Sequence, residues 1–242
     1  MIVVVCALIG WFAGAVAWNV ARNQAARRPL FAGPASDSGS VAVPALAWVP
    51  LIGFLRSGTD PATGGRTAPW RPAFEVAVAA YFAVAAATLG GSVELAAVLV
   101  CSLPLLVIGL VDYWTRLVHR VVILTGIAVA LLFALRDGPG GLATSALAMA
   151  LAGLVFGLFF VAAIVIYRNP KASPFGLGDV YLAGMIGAMV GLDDVVQALF
   201  LGMLIAGVVL GGLLLVRVLD RKQTVAYGPY LCLGALLTLV VS

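Results

Sequence analysis

The sequence predicts an all-α fold, a polytopic integral membrane bundle of about eight transmembrane helices. Of its 242 residues, 63% are hydrophobic and only 10% are charged, which is more apolar surface than a soluble fold could bury. The mean hydropathy of +1.14 and the 28 glycines are typical of transmembrane helices that pack through small residues. Long apolar runs separated by short basic loops favour helices over the strands of an outer-membrane barrel.

The spans follow from the length of the apolar runs, because a helix needs about 20 mostly apolar residues to cross a bilayer. Eight runs qualify, of which the fourth and sixth are short: 1–21, 73–90, 93–111, 121–135, 142–167, 180–195, 197–216 and 225–242. The first run has no positively charged segment before it and no cleavage site after it, which predicts a retained helix. Residues 22–72 form the one long polar stretch, a predicted loop with a short amphipathic or re-entrant piece around Trp48 to Leu55.

The basic residues predict the orientation, since Lys and Arg are retained on the cytoplasmic side of a membrane. With the N-terminus outside and eight spans, every one of the 14 basic residues except Arg136 falls in a cytoplasmic loop. The net charge of +4 is therefore a topology signal, and nothing in it indicates a nucleic-acid partner.

The cysteines indicate neither a disulfide framework nor a metal site. Cys6, Cys101 and Cys232 lie singly in or beside apolar runs, without the paired spacing that zinc sites and disulfide scaffolds show.

Two of the ten acidic residues are candidates for chemistry. Asp112 closes the predicted third helix and Asp179 opens the sixth, so the predicted topology places both at the cytoplasmic edge of the membrane. Paired carboxylates at one depth are what acid/base hydrolysis of a peptide bond requires. Structural roles stay open, because Asp179 suits a helix N-terminus and Asp112 could pair with Arg116 one turn on.

Glycines surround the second carboxylate. Gly176 and Gly178 precede Asp179 and remove side chains from its approach, which would let an extended substrate backbone come close. Nucleotide binding is a poor alternative, because no strand precedes these glycines and no third glycine or Lys follows them.

Three segments in order resemble the type IV prepilin peptidases, membrane aspartic proteases of the Gly-x-Gly-Asp type. They are Asp112 to Arg120, Gly176 to Tyr181, and Ala226 to Leu231. The resemblance implies that Asp112 and Asp179 are catalytic and that Gly176, Gly178, Gly228 and Pro229 shape the approach of the substrate. Three positions differ from the family's usual residues. His119 replaces Pro, Arg120 replaces Asn or Asp, and Tyr181 replaces Lys.

The N-terminal region resembles that family more faintly, in Gly14 to Val20, Val49 to Gly58 and Arg71 to Glu75. The sequence thus predicts two parts, a degenerate N-terminal region at 1–92 and a peptidase domain at 93–242. In bifunctional family members the N-terminal region accompanies N-methylation of the product and carries two zinc-binding Cys-x-x-Cys pairs. Those pairs are missing here, so we expect methylation to be weak, absent or independent of zinc.

The function implied is cleavage of the N-terminal leader of type IV prepilins or pseudopilins at the cytoplasmic face of the bacterial inner membrane, for pilus assembly or type II secretion. The partners implied are these substrates and the lipid bilayer. No cofactor is expected for proteolysis. S-adenosylmethionine is expected only if the methyltransferase activity is retained. The alternatives are a preflagellin or general intramembrane Gly-x-Gly-Asp protease, and a non-catalytic transporter or assembly factor.

The proposed chemistry needs one ionised and one protonated carboxyl group. Two carboxylates held close cannot easily both ionise, so a shared proton is expected. The helix dipoles favour Asp179, at a helix N-terminus, as the base and Asp112, at a C-terminus, as the acid.

Overall fold

A computed structural model describes residues 1–25, 49–50, 69–117, 119–167, 176–217 and 226–241. Most of the predicted loop 22–72 lies outside these residues, including the proposed re-entrant piece except Val49 and Pro50. Val118 and residues 168–175 and 218–225 also lie outside them. The described residues form seven α-helices and contain no strand: α1 (Ile2–Ala25), α2 (Arg71–Leu89), α3 (Val93–Thr115), α4 (Arg120–Ala134), α5 (Gly138–Tyr167), α6 (Leu177–Leu215) and α7 (Gly228–Val241).

The predicted all-α membrane fold is confirmed. Five helical stretches in the described part of the chain are long and apolar enough to cross a membrane: Ile2–Ala25, Arg71–Leu89, Val93–Thr115, Arg120–Ile166 and Leu177–Leu215. The last helix, Gly228–Val241, is apolar but shorter. The count of about eight spans is not confirmed and stays a prediction.

Two of the five stretches contain a break in the helix. Gly191 lies inside α6 with φ 78° and ψ −178°, a conformation that is open to glycine and closed to other residues. It divides α6 into segments 177–190 and 192–215, the first about 21 Å long at 1.5 Å per residue. Between α4 and α5 lie a short 3₁₀ turn, Leu135–Asp137, and Gly138 with φ 74°. Both breaks lie close to turns that the sequence predicts between successive spans.

The chain divides into two compact units, Met1–Leu99 and Val100–Ser242. In the first unit, α1 and α2 pack antiparallel, since Gly10 faces Phe82 whereas Gly14 faces Glu75. A Cβ atom at Gly10 would lie 2.7 Å from Phe82 Cβ, so the glycine lets the two helices approach closely. The assignment of activities to 1–92 and 93–242 stays a prediction.

A buried ion pair lies within α2 of the first unit. Arg71 Nε donates to Glu75 Oε1 over 2.8 Å, and the two residues are 0% and 1% exposed. From the sequence, Glu75 is expected only to favour the helix dipole. Because an unpaired buried charge is costly, the burial of Glu75 requires a partner. Arg71, one turn earlier, supplies it.

In the second unit, α5 packs antiparallel to the first segment of α6. Gly157 faces Val180 at one end of the contact, and at the other end Ser145 Oγ donates to the Ala188 carbonyl over 2.7 Å. Ala188 lies in the last turn before Gly191, where the ordinary i to i+4 bonding of the helix is interrupted. Ser145 therefore supplies a buried hydrogen bond at the break.

The second segment of α6 packs antiparallel to α7 through two glycines. Gly202 faces Leu231, and Gly234 faces Ala198 and Gly202. A Cβ atom at Gly202 would lie 2.8 Å from Leu231 Cα, so these helices meet backbone to backbone, as small residues permit in membrane proteins.

Outward faces of the helices carry large apolar side chains. Val165, Val196, Val208 and Leu215 are between 68% and 86% exposed. Such apolar exposure is expected of surfaces that contact lipid chains.

We expect Gly202→Ala to destabilise the protein by roughly 1–3 kcal/mol, because the added methyl group would overlap the α7 backbone. Gly207→Ala on the same helix is the matched control, since nothing lies within 4 Å of a Cβ atom there. Thermal unfolding in detergent should show a lower Tm for Gly202→Ala alone. Equal Tm values for the two variants would contradict the close packing of α6 and α7.

Candidate active site

Asp112 lies in the last turn of α3 and is almost completely buried. It is 5% exposed, and the backbone N–H of Gly228, at the start of α7, donates to its Oδ2 over 3.0 Å. The contact joins residues 116 positions apart in the chain. A buried carboxyl group needs such partners, and here one of them comes from another helix.

Asp179 lies in the first turn of α6 and is partly exposed. The backbone N–H of Gly176 donates to its Oδ2 over 2.9 Å, while the Asp179 N–H donates to the Gly176 carbonyl over 3.1 Å. Asp179 thus closes a reciprocal cap at the helix N-terminus. The sequence analysis left open a role for Asp179 at the helix N-terminus. That role is present in the structure, in addition to any role of Asp179 in catalysis.

The two carboxyl groups are close enough to interact electrostatically. Both belong to the second unit, and each accepts one hydrogen bond from a glycine backbone. Asp193 and Asp194, by contrast, lie beyond the break at Gly191, about 20 Å along α6 from Asp179 at 1.5 Å per residue. The structure brings together the two acidic residues that the sequence predicts as a pair.

The glycines of the predicted site differ in what they contact. A Cβ atom at Gly228 would lie 2.6 Å from Asp112 Oδ2, so this glycine is required for the close contact with the carboxyl group. Gly176 is exposed and Gly178 is partly exposed, which leaves the Asp179 side of the pair open. Pro229 follows Gly228 in the first turn of α7, partly exposed.

Cys232 is a neighbour of the pair that the sequence analysis did not identify. The residue is 2% exposed, and its thiol interacts electrostatically with both Asp112 and Asp179. It packs against α3 at Gly109, where a Cβ atom would lie 3.7 Å from Cys232 Cβ. The available signal was its spacing, one helical turn after Gly228.

Aromatic residues cluster at the same helix ends. Tyr113 and Trp114 end α3, Tyr181 lies in the first part of α6, and Tyr227 and Tyr230 flank the start of α7. Tyr113 and Tyr181 are 61% and 47% exposed. Tyrosine and tryptophan concentrate where a membrane meets water, and this cluster is consistent with that pattern.

The described residues contain no group of three or more His, Cys, Asp or Glu side chains that could hold a metal ion. The three cysteines are free and buried. His119, the only histidine, lies directly before α4 and is partly exposed.

Comparison with known proteins gives one match. Residues 97–211, which contain Asp112, Gly176, Gly178 and Asp179, match the model of the type IV leader peptidase family. The resemblance to prepilin peptidases inferred from the sequence is thereby confirmed at the level of the family.

The match to the type IV leader peptidase family indicates a protease with protein substrates. The matched range ends before Gly228 and Pro229 and begins after the N-terminal segments, so their resemblance to the family rests on the sequence motifs alone. Neither the curated proteins nor the solved structures gave a significant match.

We expect Gly228→Ala to reduce peptidase activity at least tenfold, because the added methyl group would displace the Asp112 carboxyl group and break its hydrogen bond, at a cost of about 1–3 kcal/mol. Gly109→Ala is the matched control on the same helix contact, since its Cβ would make only ordinary contacts of 3.7 to 4.0 Å. Cleavage rates of both variants, with Tm recorded alongside, test this. Comparable activity in the two would show that Asp112 tolerates a displaced carboxyl group.

Proposed function

We propose that the chain is a membrane aspartic endopeptidase that removes the N-terminal leader of type IV prepilins or related pseudopilins. One observation carries the proposal. Within the region that matches the leader peptidase family, two carboxyl groups from different helices approach closely enough to interact. Acid/base hydrolysis of a peptide bond needs that pair of groups.

In the proposed mechanism a water molecule attacks the carbonyl carbon of the scissile peptide bond. Asp179, as the carboxylate, takes a proton from this water, and Asp112, as the acid, gives its proton to the carbonyl oxygen. The product is a neutral gem-diol, with Asp179 now protonated and Asp112 ionised. In the second step Asp112 takes a hydroxyl proton from the gem-diol while Asp179 gives its proton to the amide nitrogen. The C–N bond then breaks, and both carboxyl groups return to their starting states.

The exposed glycines support a peptide substrate. Gly176 and Gly178 present backbone without side chains next to Asp179, where an extended peptide could lie against the carboxyl group. The proposed cut is on the cytoplasmic side of the bacterial inner membrane, with the N-terminus of the enzyme outside. The basic loops support this orientation.

Proteolysis by this pair needs no metal ion and no organic cofactor. We expect N-methylation of the product, which would require S-adenosylmethionine, to be weak, absent or independent of zinc, because the Cys-x-x-Cys pairs that accompany it in bifunctional enzymes are missing from the sequence.

We expect Asp112→Asn and Asp179→Asn each to abolish cleavage while the protein stays folded and inserted. Asn keeps the shape of the side chain but cannot exchange the proton. Because the two groups act as one unit, the double variant should be no less active than either single variant. The measurement is cleavage of a purified type IV prepilin by the enzyme reconstituted in liposomes.

The control is the double replacement Asp193→Asn with Asp194→Asn, which should leave cleavage close to the unsubstituted rate, since these residues lie beyond Gly191. Near-normal processing by either single Asn variant at positions 112 and 179 would disprove the assignment of the pair. A transporter or an assembly factor would then become the better interpretation.

The proposed orientation is tested by cysteine labelling. In a background with Cys6, Cys101 and Cys232 replaced, a Val118→Cys probe should react with a membrane-impermeant thiol reagent only after the membrane is opened. An Asp137→Cys probe, beside the single basic residue predicted outside, should react in intact cells. The reverse pattern would invert the topology.

A further inference from the structure

Helix α5 continues past the carboxyl pair. Gly157 faces Val180, the residue after Asp179, and from there the helix runs on to Tyr167, about 15 Å further at 1.5 Å per residue. Because α5 is antiparallel to the first segment of α6, this length of helix extends beyond Asp179, on the side away from Gly191.

The second segment of α6 also continues past the pair, beside α7. Gly202 faces Leu231, which lies about 5 Å along α7 from Gly228 at 1.5 Å per residue. From Gly202 the helix runs on to Leu215, about 20 Å further at the same rise. It therefore ends about 15 Å past Gly228, the residue that donates to Asp112.

We call residues 158–167 and 203–215 the projecting segments. Neither contains a charged residue, and the apolar runs to which they belong end at Arg168 and Arg217, as is typical of a membrane boundary. Large apolar side chains on both are 42% to 86% exposed: Leu158, Val161, Val165, Ile166, Leu204, Val208, Leu214 and Leu215. Such side chains are stable in contact with lipid chains and costly in water.

The chain between α3 and α4 has the opposite character. Helix α3 ends at Thr115, just after Asp112, and α4 begins at Arg120. Both Arg116 and Arg120 are exposed. An exposed arginine is costly in the hydrocarbon layer, and it draws water and headgroups inwards by thinning the bilayer locally. Charges that need water therefore lie close to the level of the pair, where the projecting segments still need lipid.

A flat membrane surface cannot satisfy both requirements. A surface level with the pair would leave the projecting segments in water, and a surface level with their ends would cover Arg116 and Arg120 with lipid chains. We propose that the lipid bilayer meets this protein at two heights. It keeps its full thickness along the projecting segments and is thinned beside the end of α3 and the start of α4. Bilayers adapt in this way to apolar helices of unequal length.

The carboxyl pair then lies at the step between the two heights. It is below the surrounding membrane surface and still within reach of water, which hydrolysis consumes. The step follows from helix lengths, exposure and charge, so the inference does not depend on the proposed function.

Nitroxide labels at two matched positions test the step. Leu117 and Val208 are apolar and 52% and 69% exposed, and both lie within about 8 Å past the pair at 1.5 Å per residue. Leu117 belongs to the chain between α3 and α4, whereas Val208 lies in a projecting segment. Each is replaced by cysteine in the full chain, in the cysteine-free background of the topology test, and reconstituted in phosphatidylcholine liposomes. Tm values confirm that the labelled variants are folded.

The measurement compares collisions of each label with oxygen, which dissolves in lipid chains, and with a water-soluble nickel chelate. Because a polar solute is strongly excluded from hydrocarbon, the ratio of oxygen to nickel collisions should be roughly tenfold higher at position 208 than at position 117. The control is Phe200→Cys, at a position 61% exposed on the same α6 segment. It lies on the other side of the pair, where a flat and a stepped membrane both place lipid, and should give a ratio like that at position 208.

Similar ratios at positions 117 and 208 would overturn the inference. If both were lipid-like, a flat membrane would cover the pair, and if both were water-like, the projecting segments would leave the membrane. Few collisions with either reagent at position 208 would also overturn it, because protein would then cover that face. None of these results concerns cleavage, so the proposed function stands or fails separately in the prepilin assay.

Discussion

Two carboxyl groups held close together at helix ends are the constraint on which the second unit depends. Like charges in a poorly solvated place repel, so the fold must supply compensation. It does so with backbone: Gly228 donates to Asp112 and Gly176 donates to Asp179. Both donors are glycines, and at Gly228 any larger residue would overlap the carboxyl group. The close approach of the two carboxyl groups therefore depends on these two glycines as much as on the acidic residues.

The same use of glycine recurs in the helix contacts that place these ends. Gly187, Gly202 and Gly234 lie where a neighbouring helix approaches closely. Lipid chains are as apolar as the helix surfaces, so close packing, and not exclusion from water, has to hold such helices together. A bundle built this way has little room for adjustment, which suits a site whose two reacting groups come from different helices.

The sequence predicted the helical membrane fold, the two carboxylates and the family from residues with strong local signals. Apolar runs define helices, and Asp112 and Asp179 interrupt them where a charge is costly. The break at Gly191 and the turn before α5 lie close to predicted turns. Other features depend on contacts distant in the chain. The Ser145 bond to Ala188 and the packing of Cys232 against Gly109 need the tertiary arrangement. Arg116, just after α3, has φ 55°, a left-handed conformation that its residue type does not predict, since glycine would be expected there.

The bond from Ser145 to the Ala188 carbonyl has a consequence for how the site is held. The segment that begins with Asp179 ends at Gly191, where the helical bonding of α6 is interrupted. At that end a hydrogen bond joins the segment to α5, a helix without an acidic or basic residue. The segment that carries Asp179 is thus held partly by α5, a helix that supplies no chemistry of its own. Natural variation along that helix could tune the reactivity of the enzyme while every residue of the catalytic motif stays the same.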